Sequence, residues 1–230
     1  MGIPLYLAMT AAELHCCPAP PTHIAWLSCL FSPYGTGLSN LPKQLPPDSL
    51  LILSDRTPVC GHDPKLIKTQ LQETIDRLCC CGVLLDFERP PQEESKSIAK
   101  ELVALPCPVA VSAAYADALN CPVFLPSIPP HIPPGDYLSP WSGRDIWLEA
   151  ATGTAIIDIT EKGFASQTIY AGIDSCGKFH DTDLFCHYDI AVADSARFTL
   201  TRTVQDMYTL MEDAEAYGVT NAIGLYQELG

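Results

Sequence analysis

One stretch, Gly82-Val83-Leu84-Leu85-Asp86-Phe87-Glu88-Arg89-Pro90, limits the folds open to this chain more than any other. Its apolar first half has the length of one buried strand. It closes on two carboxylates, followed by Pro90 and Pro91. Successive strand side chains point to opposite faces. Leu84, Asp86 and Glu88 therefore share one face, and Val83, Leu85 and Phe87 share the other. A strand that is apolar on both faces belongs to a parallel sheet covered on both sides. One that turns acidic only at its C-terminal tip suits a β/α barrel, where catalytic groups gather at the C-terminal strand ends.

The flanking sequence offers the partners such a strand needs. Ile3 to Met9, His23 to Leu30 and Ser49 to Ser54 read as three earlier strands, the last ending at Asp55-Arg56. Asp63-Pro64 opens the clearest helix, with Asp as N-cap and Pro at its first position. Leu66, Ile67, Leu71, Ile75 and Leu78 follow at helical spacing and lead directly into Gly82. Gln92 to Leu105 reads as the next helix. Pro108 to Ala113, Pro122 to Leu125 and Asp145 to Ala150 read as the fifth, sixth and seventh strands, with barely one helical turn at Tyr115 to Leu119. Ser127 to Pro140 is so rich in proline that an extended loop over the barrel is expected, with no regular helix. Thr154 to Tyr170 reads as a β-hairpin around Glu161-Lys162-Gly163, and Leu184 to Val192 as a further strand. A helix from about Val204 to Tyr217 ends at Gly218, and Asn221 to Leu229 reads as the eighth strand. The expected fold is thus an α/β class TIM-like (β/α)8 barrel, one domain over residues 1–230. Its helices are reduced, and residues 153–192 form a β-rich insertion.

Composition narrows the function. A net charge of -14 argues against nucleic acid or an anionic membrane as partner, since both need a basic patch. The N-terminal residues read as a strand, without the basic flank of a signal peptide. Eleven cysteines, some adjacent and none in a Cys-x-x-Cys pair, read as free thiols in a reducing compartment, so a cytoplasmic location is expected. His15, His23, His62, His131, His180 and His187 show no ligand spacing. All but His23, which begins a strand, read as loop residues. Nucleotide-binding glycine motifs are absent. Neither a cofactor nor a metal is expected.

The central stretch resembles the signature of family 18 glycoside hydrolases, the chitinase-like barrels, Asp-Gly-x-Asp-x-Asp-x-Glu on the fourth strand. Gly82, Asp86 and Glu88 match, and Phe87 fills a position that is usually aromatic. Cys81 and Leu84 stand where the family has aspartates. The resemblance implies that Glu88 is the general acid and that Asp86 orients the substrate's own N-acetyl group, which attacks the anomeric carbon. It also implies a β-rich insertion after the seventh strand and an aromatic floor on the eighth, where Tyr226 replaces the usual Trp. The family's sixth-strand Tyr-Asp pair has no counterpart at Phe124-Leu125-Pro126-Ser127. Tyr115 and Tyr137 are the candidate substitutes for that Tyr.

Asp55, Arg56 and Glu149 complete the candidate rim, as charged residues at strand ends. The implied ligand is an N-acetylglucosamine-type oligosaccharide. Three readings follow: a glycosidase working by substrate assistance; an inactive chitinase-like barrel that binds carbohydrate or a protein partner; and an unrelated barrel hydrolase using Asp86 and Glu88 differently, with or without a metal.

Overall fold

In the computed structural model, residues 2–160, 163–169, 177–193 and 195–230 are described. β1 (Leu5–Met9) leads through α1 (Ala11–Cys16) to β2 (Ile24–Phe31), on whose end a two-residue strand, β3 (Leu38–Ser39), folds back antiparallel. The chain then alternates: β4 (Leu50–Ser54), α2 (Pro64–Leu78), β5 (Gly82–Asp86), α3 (Glu93–Leu102), β6 (Val109–Ser112), α4 (Ala113–Ala116), β7 (Val123–Leu125), α5 (Pro134–Leu138) and β8 (Ile146–Glu149). Five antiparallel strands follow: β9 (Gly153–Thr160), β10 (Gly163–Ile169), β11 (Phe179–Asp181), β12 (Cys186–Val192) and β13 (Ala196–Arg202). Last come α6 (Val204–Ala214), β14 (Val219–Leu225) and α7 (Tyr226–Leu229).

The parallel strands run β1-β14-β8-β7-β6-β5-β4-β2, and the pairing of β1 with β2 closes the ring. This is the eight-stranded TIM-like barrel expected from the sequence. The five-stranded sheet, in the order β10-β9-β13-β12-β11, is the insertion between β8 and α6. None of the helices among the described residues is long and apolar enough to cross a membrane.

The pleat of β5 divides the core as its sequence demands. Leu84 joins Tyr6, Leu50, Ile52, Trp147 and Ile223 inside the barrel, all buried. Val83, Leu85 and Phe87 pack outward with Ile67, Leu71, Ile75, Ile98 and Leu102 of the covering helices. Burial of each such side chain contributes about 1.5–3 kcal/mol. Gly82 is required by the inner layer. A Cβ there would come within 3.1 Å of the Trp147 ring and 3.0 Å of the Pro108 carbonyl oxygen. A side chain there would crowd the indole that fills the barrel bottom. α2 begins as its sequence indicates, with the Asp63 carboxylate accepting from the Lys65 N–H at 3.0 Å and Pro64 at the start.

Several local expectations are corrected. Residues 127–140 do contain helix: α5 starts at Pro134, where the fixed φ of proline suits the first turn, and a 3-10 turn follows over Ser139–Trp141. α1 was not foreseen. It is nucleated by a capping box in which Thr10 and Glu13 bond each other's backbone N–H. The insertion continues past 192, because β13 inserts between β9 and β12 and carries the sheet to Arg202. The eighth barrel strand stops at Leu225, and Tyr226 opens a short helix instead. His180 and His187 lie on β11 and β12, not in loops. The expected hairpin of residues 154–170 is β9 paired with β10, though positions 161, 162 and 170 lie outside the described residues.

Candidate active site

At the C-terminal end of β5 the inward alternation passes from Leu84 to Asp86. A cavity of about 330 Å³ opens there, and Asp86, Glu88, Arg56 and Glu149 contribute its charged side chains. Leu84, almost fully buried, seals the layer below. The uncharged lining includes Leu27, Phe124, Ile223 and Leu225.

The segment that carries Glu88 is held by a set of local bonds. Asp55, 1% exposed, accepts the Glu88 N–H on Oδ1 at 2.9 Å and the Arg89 N–H on Oδ2 at 3.1 Å. The Ser112 hydroxyl accepts from the Phe87 N–H at 3.0 Å and donates to the Leu85 carbonyl at 3.1 Å. The Tyr115 hydroxyl lies 3.1 Å from both the Arg89 carbonyl and Ser95 Oγ. The Arg89 guanidinium reaches the Arg56 carbonyl at 2.8 Å. Two residues expected at the substrate, Asp55 and Tyr115, are therefore placed behind the loop, where they position its backbone.

Asp86 is partly buried. Burial raises its pKa from the usual 3.8 to about 6, and the negative charges of Glu88, Glu149 and Asp55 add to the effect, partly offset by Arg56. A carboxyl in that state keeps its proton at mildly acidic pH. Glu88 lies nearer solvent, its side chain 60% exposed, with Oε1 3.9 Å from the Arg56 guanidinium. Glu149, one β8 alternation above Trp147, enters the cavity from across the barrel while its Oε2 accepts from the Ser127 N–H at 3.1 Å.

The structure thus brings together Asp86, Glu88, Arg56 and Glu149. It leaves Tyr137 and Tyr226 outside the cavity lining. The Tyr137 hydroxyl donates to the Pro126 carbonyl at 3.0 Å and so steadies a cavity wall from behind. The Tyr226 hydroxyl lies 3.5 Å from Cys17 Sγ. The aromatic surface inside the cavity is Phe124, which sequence reading passed over. Its signal was the alternation Val123-Phe124-Leu125, which turns Phe124 inward between two outward, buried neighbours. Cys81, the other departure from the family signature, lies at the far end of β5, 3.3 Å from the Tyr6 hydroxyl and 3.0 Å from the Asp48 carbonyl.

No protein-family model and no curated protein matches the sequence. Solved structures do match along nearly the whole chain. The spore cortex-lytic enzyme SleL of Bacillus cereus superposes with a TM-score of 0.55 at 10% identity, over 99% of this chain and 71% of that one. A chitinase from Chromobacterium violaceum ATCC 12472 gives 0.53 at 13% identity, over 96% and 93%. The C-terminal domain of a putative chitinase from Desulfitobacterium hafniense DCB-2 gives 0.51 at 10% identity, over 98% and 93%. At these identities the likeness is one of architecture: this chain has the barrel fold of chitinase-like glycosidases.

Proposed function

We propose that the protein is a family 18-like glycoside hydrolase that cleaves N-acetylhexosamine-containing glycans by substrate assistance. The observation that carries this reading is the Asp86–Glu88 pair at the mouth of a cavity large enough for a sugar ring, with Asp86 holding a proton up to about pH 6. The two groups divide the work of the acid. Asp86 stores the proton, and Glu88, nearer the rim, delivers it to the glycosidic oxygen as the bond to the anomeric carbon breaks. The acetamido oxygen of the same sugar attacks that carbon, and the Asp86 carboxylate stabilises the positive charge that develops on the acetamido group. Phe124 offers an apolar face to the sugar ring. Free thiols on the described cysteines suit a reducing compartment, which favours a cytoplasmic location and a soluble oligosaccharide over an extracellular polymer.

A second reading has its own support. Leu84 removes the carboxyl that shares a proton with Asp86 in the family, and much of the remaining cavity lining is apolar. A barrel that binds a glycan without turnover fits those facts.

Hydrolysis of a labelled N-acetylglucosamine oligomer separates the two. The enzyme reading expects turnover, lowered about 10²–10⁴-fold by Glu88→Gln, with substrate binding retained. Asp86→Asn should also impair it. Absence of turnover by the wild type, together with sugar binding unchanged in Glu88→Gln, establishes the binding reading instead.

A further inference from the structure

His180 and His187 stand directly opposite each other in the antiparallel pairing of β11 with β12, so their side chains project from the same face. Their ring centroids are 4.7 Å apart. Asp206, in the first turn of α6 and only 6% exposed, faces the pair. Its carboxylate is already oriented: Oδ2 accepts from the Thr203 N–H at 3.0 Å and the Thr203 hydroxyl at 2.7 Å. Oδ1 lies 3.0 Å from His180 Nε2, and Oδ2 lies 3.8 Å from His187 Nε2. One ligand atom from each residue falls within 4.8 Å of the other two.

We infer that His180, His187 and Asp206 form a binding site for a divalent transition-metal ion of the zinc type. A hydrogen bond alone explains only one of the two imidazoles. His180 satisfies Oδ1, whereas His187 approaches the same carboxylate at 3.8 Å, beyond hydrogen-bond reach. An ion held at about 2.0–2.2 Å by each donor needs donors about 3.3 Å apart in a tetrahedron. The 3.0 and 3.8 Å separations run to the two different oxygens of Asp206, and one donor atom from each residue lies within 4.8 Å of the others, so rotation of the two exposed imidazoles toward one carboxylate oxygen closes the set onto the ion. Two imidazoles with one carboxylate suit zinc, cobalt or nickel, and not the all-oxygen shells of calcium or magnesium. The Thr203 bonds to Asp206 are the outer contacts that keep a ligand oriented. The imidazoles are 41% and 30% exposed, which leaves a coordination position open to water.

The site ties the insertion sheet to α6. None of its three residues lines the mouth cavity. The ion therefore acts as a clamp on the position of the insertion, and it does so whether or not the barrel hydrolyses sugars.

The test titrates metal-free, fully reduced protein with zinc chloride and follows binding by calorimetry and the thermal midpoint. Wild type should take up zinc at this site and melt higher with it. His187→Ala and the double variant His180→Ala with His187→Ala should lose that uptake. Their affinity should fall at least as far as the roughly 10–100-fold that follows loss of even an outer contact. His187→Gln, which keeps size and polarity, serves if the alanine variants melt lower without metal. Eleven cysteines offer competing ligands, so a parallel titration with cobalt chloride identifies the donors. The His-dependent portion should show d–d bands without thiolate charge-transfer absorption. Zinc binding and thermal shift equal in wild type and the double variant, or no binding by wild type, overturn the assignment.

Discussion

Asp86 should make the protein less stable as pH rises, and Asp86→Asn should remove that dependence. Its pKa in the folded chain is about 6, against 3.8 for an ordinary aspartate. Between those values the folded state holds more protons than the unfolded state, so protons stabilise the fold. The contribution is fully present below pH 3.8 and is lost as pH rises through about 6. The gap between the two values, at about 1.4 kcal/mol per pH unit, gives about 3 kcal/mol. Solvent reaches the carboxyl through the cavity, which brings the expectation to about 2–3 kcal/mol. Asparagine keeps the size and polarity of the side chain but carries no charge at any pH. Other titrating groups, such as Glu13 and Asp206, whose pKa values are lowered, are shared by both proteins and cancel in the difference. Urea unfolding of wild type and Asp86→Asn from pH 3.5 to 7.5 measures it. The variant should gain about 2–3 kcal/mol relative to wild type over that range, which at neutral pH corresponds to a rise in Tm of roughly 4–12 °C. High salt should shrink the part due to Glu88 and Glu149 and leave the part due to burial. A stability difference that stays constant with pH refutes the assigned environment of Asp86, and with it the proton store on which the proposed chemistry rests.

Three further outcomes are expected. Arg202, 1% exposed, donates to the carbonyls of Ile128, Leu184 and Phe185 and so ties the insertion to the segment after β7; Arg202→Met should cost at least about 2–4 kcal/mol in urea unfolding, because buried carbonyls lose their donors. Cys79 ends α2 in the left-handed region at φ 55°; Cys79→Gly should raise stability by about 0.5–1 kcal/mol by relieving its Cβ contact, and a lower melting temperature would count against that account. Under native conditions a thiol reagent should label the exposed Cys16, Cys60 and Cys79 quickly, while Cys29, Cys80 and Cys186, whose thiols burial pushes up to about 12, react only on unfolding.

The barrel and its acidic mouth were legible in the chain because both rest on local information. The run Gly82 to Asp86 carries its own alternation. Asp63-Pro64 marks where α2 begins, and a carboxylate at a strand's end lies at the mouth whatever its neighbours are. Short-range signals erred where two of them competed: the prolines of residues 127–140 argued against helix, yet Pro134 occupies the one helical position that suits it. What lay beyond the sequence depends on contacts between distant segments. Asp55 and Tyr115 turn out to hold the loop after β5, because loops after neighbouring strands meet only once the sheet has closed. The sequence puts Tyr226 on the eighth strand, but that strand stops one residue earlier, and the aromatic face falls to Phe124 instead. β13 was missed because its partners β9 and β12 are what stabilise it. His180 and His187 show no ligand spacing in sequence, since antiparallel register, and not distance along the chain, sets them side by side. The proton affinity of Asp86 is the clearest case. Its position follows from a two-residue period, but its charge state follows from how deeply the closed barrel buries it and how near Glu149 comes from the other side of the ring.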